Sequence, residues 1–305
     1  MSNIIEVSNL VKNFGDFSAV NNISFNVEKG SLFGFLGING AGKSTTISIL
    51  CTLSEKTKGS VKVCGYDVGK DDSLIRSKIG VVFQDNSLDD RLTVKQNLIL
   101  RGSLYEINKK ILNENINQIC DDLKINHLLN STYKDLSGGQ KRICDVARAL
   151  IHKPEILFLD EPTTGLDPKT RRTLWESIEK IRRENNMTVF LTTHYMEEAA
   201  KADKIAVMNK GRIVAEGTPF KIKELYSKDK LKIEYNNKEA AEAVLRKFGL
   251  KYYDFENRIN IEIPDTMFGI KILKELQEDI DSFEVVQGTI EDAFLNITGN
   301  TLKEA

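Results

Sequence analysis

The stretch Gly37-Ile38-Asn39-Gly40-Ala41-Gly42-Lys43-Ser44-Thr45 constrains what this chain can fold into more than any other. It lies between an apolar run at 32–36, which reads as a strand, and a helical pattern over 46–53. The glycines let the backbone curl so that successive N–H groups face one hollow, and the following helix adds the positive end of its dipole. A polyphosphate fits such a hollow. Lys43 would bring a mobile charge to the outer phosphates, and the Ser44 hydroxyl is placed to ligate a Mg²⁺ ion that bridges them. A plain glycine-rich turn at a helix start has the same letters, so the remainder of the chain must decide.

With 305 residues the chain is long enough for about two domains, and 41% hydrophobic residues suit a globular protein. Forty-three Lys and Arg against 44 Asp and Glu leave a formal net charge of −1, so no global basic excess points to nucleic acid or an anionic surface. No apolar run approaches the roughly 18 residues of a membrane span. The start, Met1-Ser2-Asn3-Ile4-Ile5-Glu6, lacks a secretory pattern, and the expected location is the cytoplasm. Cys51, Cys64, Cys120 and Cys144 are scattered without a Cys-x-x-Cys pair, which argues for small buried thiols rather than zinc ligands, disulfides or nucleophiles.

Alternating segments at 4–7 and 23–27 predict antiparallel strands. Phe14 stands on the turn between them, where its ring either stacks on a nucleobase or folds over its own hairpin. Residues 61–64 alternate again, 79–83 read as a buried strand, and Gln84 opens a polar loop. From 93 to 129 the pattern is helical, with Leu98, Leu104, Ile107, Ile111, Leu112, Ile116, Ile119 and Leu123 expected on apolar faces. Leu136-Ser137-Gly138-Gly139-Gln140 precedes a helix over 141–151; it reads either as a second anion nest or as an ordinary serine cap.

The apolar run 156–159 passes straight into Asp160-Glu161-Pro162. Carboxylates at the end of a buried strand are costly unless used: Asp160 could hold Mg²⁺, and Glu161 could take a proton from an attacking water. Gly165-Leu166-Asp167-Pro168 leads into a helix through 183, a strand follows at 187–193, and His194 stands at its end. In open parallel sheets ligands collect at the carboxyl ends of strands, and Gly37, Gln84, Asp160 and His194 all sit at such ends. Strands at 204–208 and 212–215 form a hairpin, and a short helix starts after Gly217-Thr218-Pro219. Beyond a Lys-rich linker, 231–297 reads βαββαβα, a split βαβ, ferredoxin-like pattern.

Together, the 37–45 loop, Gln84, LSGGQ, the 156–161 strand end, Gly165 to Asp167 and His194 resemble the ATP-binding cassette ATPases over residues 4–225. The wording from Gly80 to Val94 and the closing Thr289-Ile-Glu-Asp-Ala-Phe-Leu-Asn-Ile-Thr-Gly299 are similar to the daunorubicin-resistance type. The resemblance implies an α/β, P-loop NTPase cassette at 1–226, with a mixed sheet core, an antiparallel β subdomain and a helical subdomain at about 86–152. A small α+β ferredoxin-like domain at 227–305 would follow. It implies ATP and Mg²⁺, with nucleotide contacts from Phe14, Val20, Gly37, Asn39, Gly40, Ala41, Gly42, Lys43, Ser44 and Thr45. Ser137, Gly138, Gly139, Gln140 and Asp167 are implied as contacts too. Metal contacts would come from Ser44, Gln84 and Asp160, and catalysis from Lys43, Gln84, Glu161 and His194. Phe14 stands where tyrosine is usual, and Ile38 replaces a common proline; neither change removes a phosphate ligand.

One cassette per chain implies a homodimer, with ATP sandwiched between Lys43 and Ser44 of one copy and Ser137 and Gly139 of the other. It also implies a separate multi-span permease exporting drug, peptide or lipid-like molecules, no nucleic acid, and a peripheral place on the inner membrane face. The alternative expectation is a soluble, non-transport cassette ATPase in an assembly complex. The second domain is expected to stabilise the dimer or regulate its closure.

Overall fold

The computed structural model describes residues 2–85, 87–105, 107–256 and 258–299. Asn86, where the helical subdomain was expected to begin, and residues 300–305 at the end of the second expected domain lie outside them. The chain divides into two compact units, one ending at Glu216 and the other beginning at Gly217.

In the first unit, β1 (Asn3–Phe14) and β2 (Phe17–Glu28) form an antiparallel hairpin paired from Asn3↔Glu28 to Phe14↔Phe17, longer than the short segments expected. Next, β3 (Leu32–Gly37) is buried at every residue, because it is flanked by parallel strands on both sides. The phosphate-loop helix, α1 (Lys43–Leu50), starts earlier than its apolar periodicity, since Lys43, Ser44 and Thr45 already have helical geometry. Strands β4 (Lys58–Val63) and β5 (Tyr66–Asp67) complete a sheet of order β2-β1-β4-β5. Helix α2 (Asp72–Lys78), too short to show an apolar period, precedes β6 (Ile79–Val82).

Helices α3 (Val94–Gly102) and α4 (Lys109–Asp122) replace the single helical stretch, each capped by its own residue, Thr93 and Asn108. Leu98, Leu112, Ile116, Ile119 and Leu123 are buried as expected, but Leu104 and Ile111 are 69% and 50% exposed. The break between the helices turns those two out of the apolar stripe. Helix α5 (Gly138–Leu150) begins immediately after Ser137 and leads to β7 (Ile156–Asp160), α6 (Pro168–Asn185), β8 (Thr188–Thr193) and the single turn α7 (Met196–Ala199). Strands β9 (Lys204–Asn209) and β10 (Arg212–Gly217) close a sheet of order β10-β9-β3-β8-β7-β6.

The pairs β9/β3, β3/β8, β8/β7 and β7/β6 are all parallel. Their carboxyl ends therefore lie along one edge, which is what positions the site. Phe25 from the antiparallel sheet packs against Phe33, Phe35 and Phe190 at centroid distances of 5.4–6.2 Å, joining the two sheets through one core. Cys51, Cys120 and Cys144 are buried as expected; Cys64 is only half-buried, and all four thiols are free.

The second unit opens with α8 (Pro219–Tyr226), which was expected to close the first domain. It packs on the terminal helix of its own unit, where Asn296 Nδ2 donates to Tyr226 O at 2.8 Å. There follow β11 (Asp229–Tyr235), α9 (Lys238–Lys247), β12 (Tyr252–Phe255), β13 (Arg258–Ile263), α10 (Thr266–Leu276), β14 (Ile280–Val286) and α11 (Ile290–Thr298). The sheet order β12-β13-β11-β14, antiparallel throughout, is that of the ferredoxin-like sandwich. Its core is Leu231, Ile233, Leu245, Ile259, Ile261, Ile272 and their neighbours.

Candidate nucleotide site

The site starts at the end of β3. Gly42 precedes α1 at φ +106°, and no side chain caps that helix. The first N–H groups of α1 therefore lack intrahelical and side-chain acceptors, the condition that favours an anion. A Cβ on Gly42 would collide with Ala19 O and come within 2.7 Å of Met208 Cε, so only glycine permits this turn. Gly40, at φ +78°, needs its freedom for conformation alone, because nothing lies within 4 Å. Lys43 folds back over the loop and is buried: Nζ donates to Gly37 O at 2.7 Å and Ile38 O at 3.2 Å. Burial lowers its ammonium below the ordinary lysine value, opposed by the charges of Glu161 and Asp160. That opposition places both carboxylates within electrostatic reach of the loop.

Those carboxylates end β7, next to β8 in the sheet. Asp160 is 5% exposed and accepts a hydrogen bond from the Thr192 hydroxyl. Glu161 takes φ +49°, an uncommon conformation for a side chain of this kind, and its N–H donates to Thr192 O at 3.0 Å. The strand end is thereby turned so that Glu161 Oε2 lies 3.4 Å from Nδ1 of His194 and 3.5 Å from the Thr164 hydroxyl. His194 is half in solvent and rests on the Tyr195 ring at 4.3 Å, and Arg171 covers that ring at 3.9 Å. Gln84 follows β6, beyond β7 in the sheet, and is exposed; its carbonyl accepts from Arg142.

Lys43, Asp160, Glu161 and His194 thus come together. Ser44, Asn39 and Gly40 are exposed on the same loop; Gly37 and Ala41 are buried, so they offer backbone alone. Ala41 N–H is already bonded to Ile38 O at 3.1 Å. Val20 corrects an expectation: it is fully buried in the core, so its side chain presents no surface to a nucleotide. Phe14 is 54% exposed with Lys12 Nζ 4.8 Å from its ring centre, and does not fold away over the hairpin.

The remaining residues form a second group. Ser137 caps α5 by accepting from Gln140 N–H at 3.3 Å, while Gln140 Oε1 accepts from Ser137 N–H at 2.9 Å. The serine cap is therefore real, and it leaves the hydroxyl proton of Ser137 free to donate. A Cβ on Gly138 would meet nothing, and one on Gly139 would touch Thr170 and Leu166 at 3.4 and 3.5 Å. Asp167 caps α6, accepting from Lys169 and Thr170 N–H at 3.1 Å, and the Thr170 side chain, aided by these backbone bonds, holds its carboxyl below the usual value. Among the described residues no side-chain hydrogen bond or ion pair joins 137–140 or Asp167 to Lys43, Asp160, Glu161 or His194.

Sequence reading missed the polar groups beneath the site. Glu198, 2% exposed, accepts from Thr163 Oγ1 at 2.5 Å, Trp175 Nε1 at 2.8 Å and Thr193 Oγ1 at 2.6 Å. The one available signal was an acid on α7, four residues past His194, inside a turn too short to show periodicity. Arg142 and Asp145 are likewise buried, on α5, and nothing in their local sequence marks charged helix residues as interior.

Asp160, Ser44 and Gln84 carry a carboxylate, a hydroxyl and an amide oxygen. Such all-oxygen sets suit a hard cation like Mg²⁺. An uncapped helix start, a glycine-bound hollow, a buried lysine and strand-end carboxylates define a phosphate-loop nucleotide-binding ATPase. Comparison with known proteins narrows the class. The ABC transporter family profile matches residues 20–164. The chain is 34% identical to the daunorubicin/doxorubicin resistance ATP-binding protein DrrA of Streptomyces peucetius, over 97% of this chain and 92% of that protein. It is 38% identical to the Nod factor export ATP-binding protein I of Burkholderia lata, over 72% of each. An ATP-binding cassette solved as a dimer in a post-hydrolysis state with ADP and Pi matches 70% of this chain and 98% of that one, at 27% identity and a TM-score of 0.64. The chain belongs to the ATP-binding subunits of ABC transporters, and it is an ATPase.

Proposed function

We propose that this chain works as a homodimer that hydrolyses Mg-ATP and energises a separate multi-span permease exporting drug, peptide or lipid-like molecules. The observation that carries the reading is the contact of Glu161 with His194 at the ends of adjacent strands, beside a loop built for phosphates. The loop N–H groups and Lys43 bind and orient the phosphates. Glu161 Oε2 takes a proton from water as the water oxygen attacks the γ-phosphorus, and ADP leaves with the broken bond's electrons. His194, 3.4 Å from that carboxylate, aligns the water and the γ-phosphate. Ser44, Gln84 and Asp160 would hold Mg²⁺, which when bound neutralises phosphate charge.

The separation of 137–140 from this centre supports the dimer. The α5 N-terminus has an open glycine and a serine proton to donate, and its acceptor would be the nucleotide on a second copy. Support for a permease comes from α3, α4 and the turn between them, where Leu100, Leu104 and Ile111 are at least half exposed. No helix among the described residues is long and apolar enough to cross a membrane, so a membrane path would belong to another protein. The names of the drug-resistance and Nod factor export relatives favour export. Affinity capture from gently solubilised membranes tests the reading: a stoichiometric multi-span protein is expected, and recovery with soluble partners alone would reject it.

A further inference from the structure

Arg142 lies one turn into α5, five residues after the Ser137 cap, and is 5% exposed. Among the described residues its guanidinium makes no ion pair with a carboxylate; its hydrogen bonds go to main-chain oxygen. Nε donates to Pro162 O at 2.7 Å. Nη2 donates to Asp160 O at 3.1 Å and Glu161 O at 2.9 Å. Nη1 donates to Phe83 O and, at 3.3 Å, to Gln84 O. These carbonyls lie at the ends of β6 and β7, where the strands stop pairing and their oxygens need other donors. One planar fork of five donors satisfies both strand ends, and a lysine, with three donors on a single point, has no such span.

The same helix face continues the grip on the Gln84 loop. Asp145 accepts from Ser87 Oγ at 2.9 Å and from Tyr133 OH at 2.9 Å, and Arg148 Nη2 donates to Val81 O at 2.6 Å. Only Arg142 of these three reaches across to the segment carrying Glu161.

We propose that Arg142 is a positioning residue for hydrolysis: it fixes the backbone of Glu161 and of Gln84 to each other and to the helix whose first turn is Ser137 to Gln140. The orientation of the proton acceptor in one site is thereby tied to the helix end that the same chain offers to a second copy. Glu161 needs such a fixture, because its positive φ is held by surrounding bonds rather than by its own preference. The bonds of Arg142 all go to main-chain oxygens that support Glu161 and Gln84, so its loss acts on turnover before binding.

This inference rests on Glu161 as the proton acceptor, and the experiment separates the two. Wild type, Glu161→Gln, Arg142→Lys and Arg142→Ala are assayed for kcat, KM, ADP affinity and thermal midpoint. Arg142→Lys keeps charge and bulk and serves if the alanine variant does not fold. The expected result is a kcat lowered by about 10- to 100-fold in Arg142→Lys, the scale of an ångström-sized misplacement, with ADP affinity within about threefold of wild type. Methylguanidine, and not methylamine, restores turnover to Arg142→Ala. A wild-type kcat in Arg142→Lys, ADP affinity falling in step with kcat, or equal rescue by both amines would overturn the proposal. Turnover persisting in Glu161→Gln would instead reject the assignment of Glu161.

Discussion

Glu198 gives the sharpest test of how the site is held. Its carboxylate is buried, pairs with no cation among the described residues, and is satisfied by three neutral donors, from Thr163, Trp175 and Thr193. Replacing it by alanine strands those donors. An unsatisfied buried donor costs about 1–3 kcal/mol. The Thr193 hydroxyl can turn, since its oxygen already accepts from Tyr195 N–H at 2.9 Å, but the indole N–H cannot. With the cavity left by the side chain, Glu198→Ala should lose about 3–5 kcal/mol. Glu198→Gln keeps one oxygen for Thr163 and Trp175, both of which bond to Oε1, and should lose only about 1 kcal/mol. Because Thr163 follows Glu161 closely and Thr193 adjoins His194, kcat in the alanine variant should fall by about 10²-fold with little change in nucleotide affinity. Urea unfolding and steady-state ATPase assays read both effects. If Glu198→Ala unfolds within about 1 kcal/mol of wild type and turns over normally, the network does not support the site.

Further expectations follow from other parts of the site and its surroundings. Glu161→Gln removes the proton acceptor while leaving the phosphate loop intact, so turnover should fall about 10²- to 10⁴-fold, roughly 3–5 kcal/mol, with ATP binding kept. An ATP-bound dimer should then accumulate on a sizing column, and a monomer at saturating ATP would count against the sandwich. Gly42→Ala combines a positive φ with a collision and should cost about 2–5 kcal/mol, against about 1–2 for Gly40→Ala, where the space is open. Equal losses in urea unfolding would contradict the packing at Gly42. Burial pushes the His152 imidazole down to about 4 from its ordinary 6.5, and its buried Nδ1 has no partner. Between those values the unfolded chain takes a proton that the folded one refuses, so stability is full above about pH 6.5 and lost as pH falls toward 4. From about pH 7.5 to about pH 5 the wild type should lose about 2 kcal/mol more than His152→Gln, and parallel pH curves would refute the shift.

Much of this architecture could be read from the letters, because the elements that carry chemistry are also the ones with strong local signals. The strand ends at Gly37, Asp160 and Thr193 follow apolar runs buried on both faces, and such runs are visible without tertiary knowledge. The βαββαβα order of the second unit was equally open, since its strands alternate and its helices have single apolar stripes. What stayed hidden depends on contacts distant in sequence. Arg142 sits among polar helix residues and becomes a core residue only because two strand ends 58 and 20 residues away expose carbonyls to it. Leu104 and Ile111 were assigned inward by periodicity alone, and an interrupted helix has no single period to follow. The boundary at 216/217 was obscured because α8 looks like any short helix after a hairpin; its packing partner lies about seventy residues further on.

Lys43 and Ser137, the two groups that would face phosphate in the proposed dimer, share one energetic logic. An ammonium and a hydroxyl left loose would have to be ordered at the moment a ligand binds, and that ordering would be charged against affinity. Here each is already anchored through acceptor or donor capacity that a phosphate does not require. Lys43 spends two of its three protons on Gly37 O and Ile38 O and keeps the third. Ser137 uses an oxygen lone pair for the Gln140 N–H and keeps its proton. Desolvation of Lys43 strengthens its remaining interaction, because a charge held in a less polar setting attracts phosphate more strongly than one in water. Both groups are thus placed before a nucleotide arrives, and in the proposed dimer the free energy of binding would be left to draw two prepared surfaces together rather than to shape either of them.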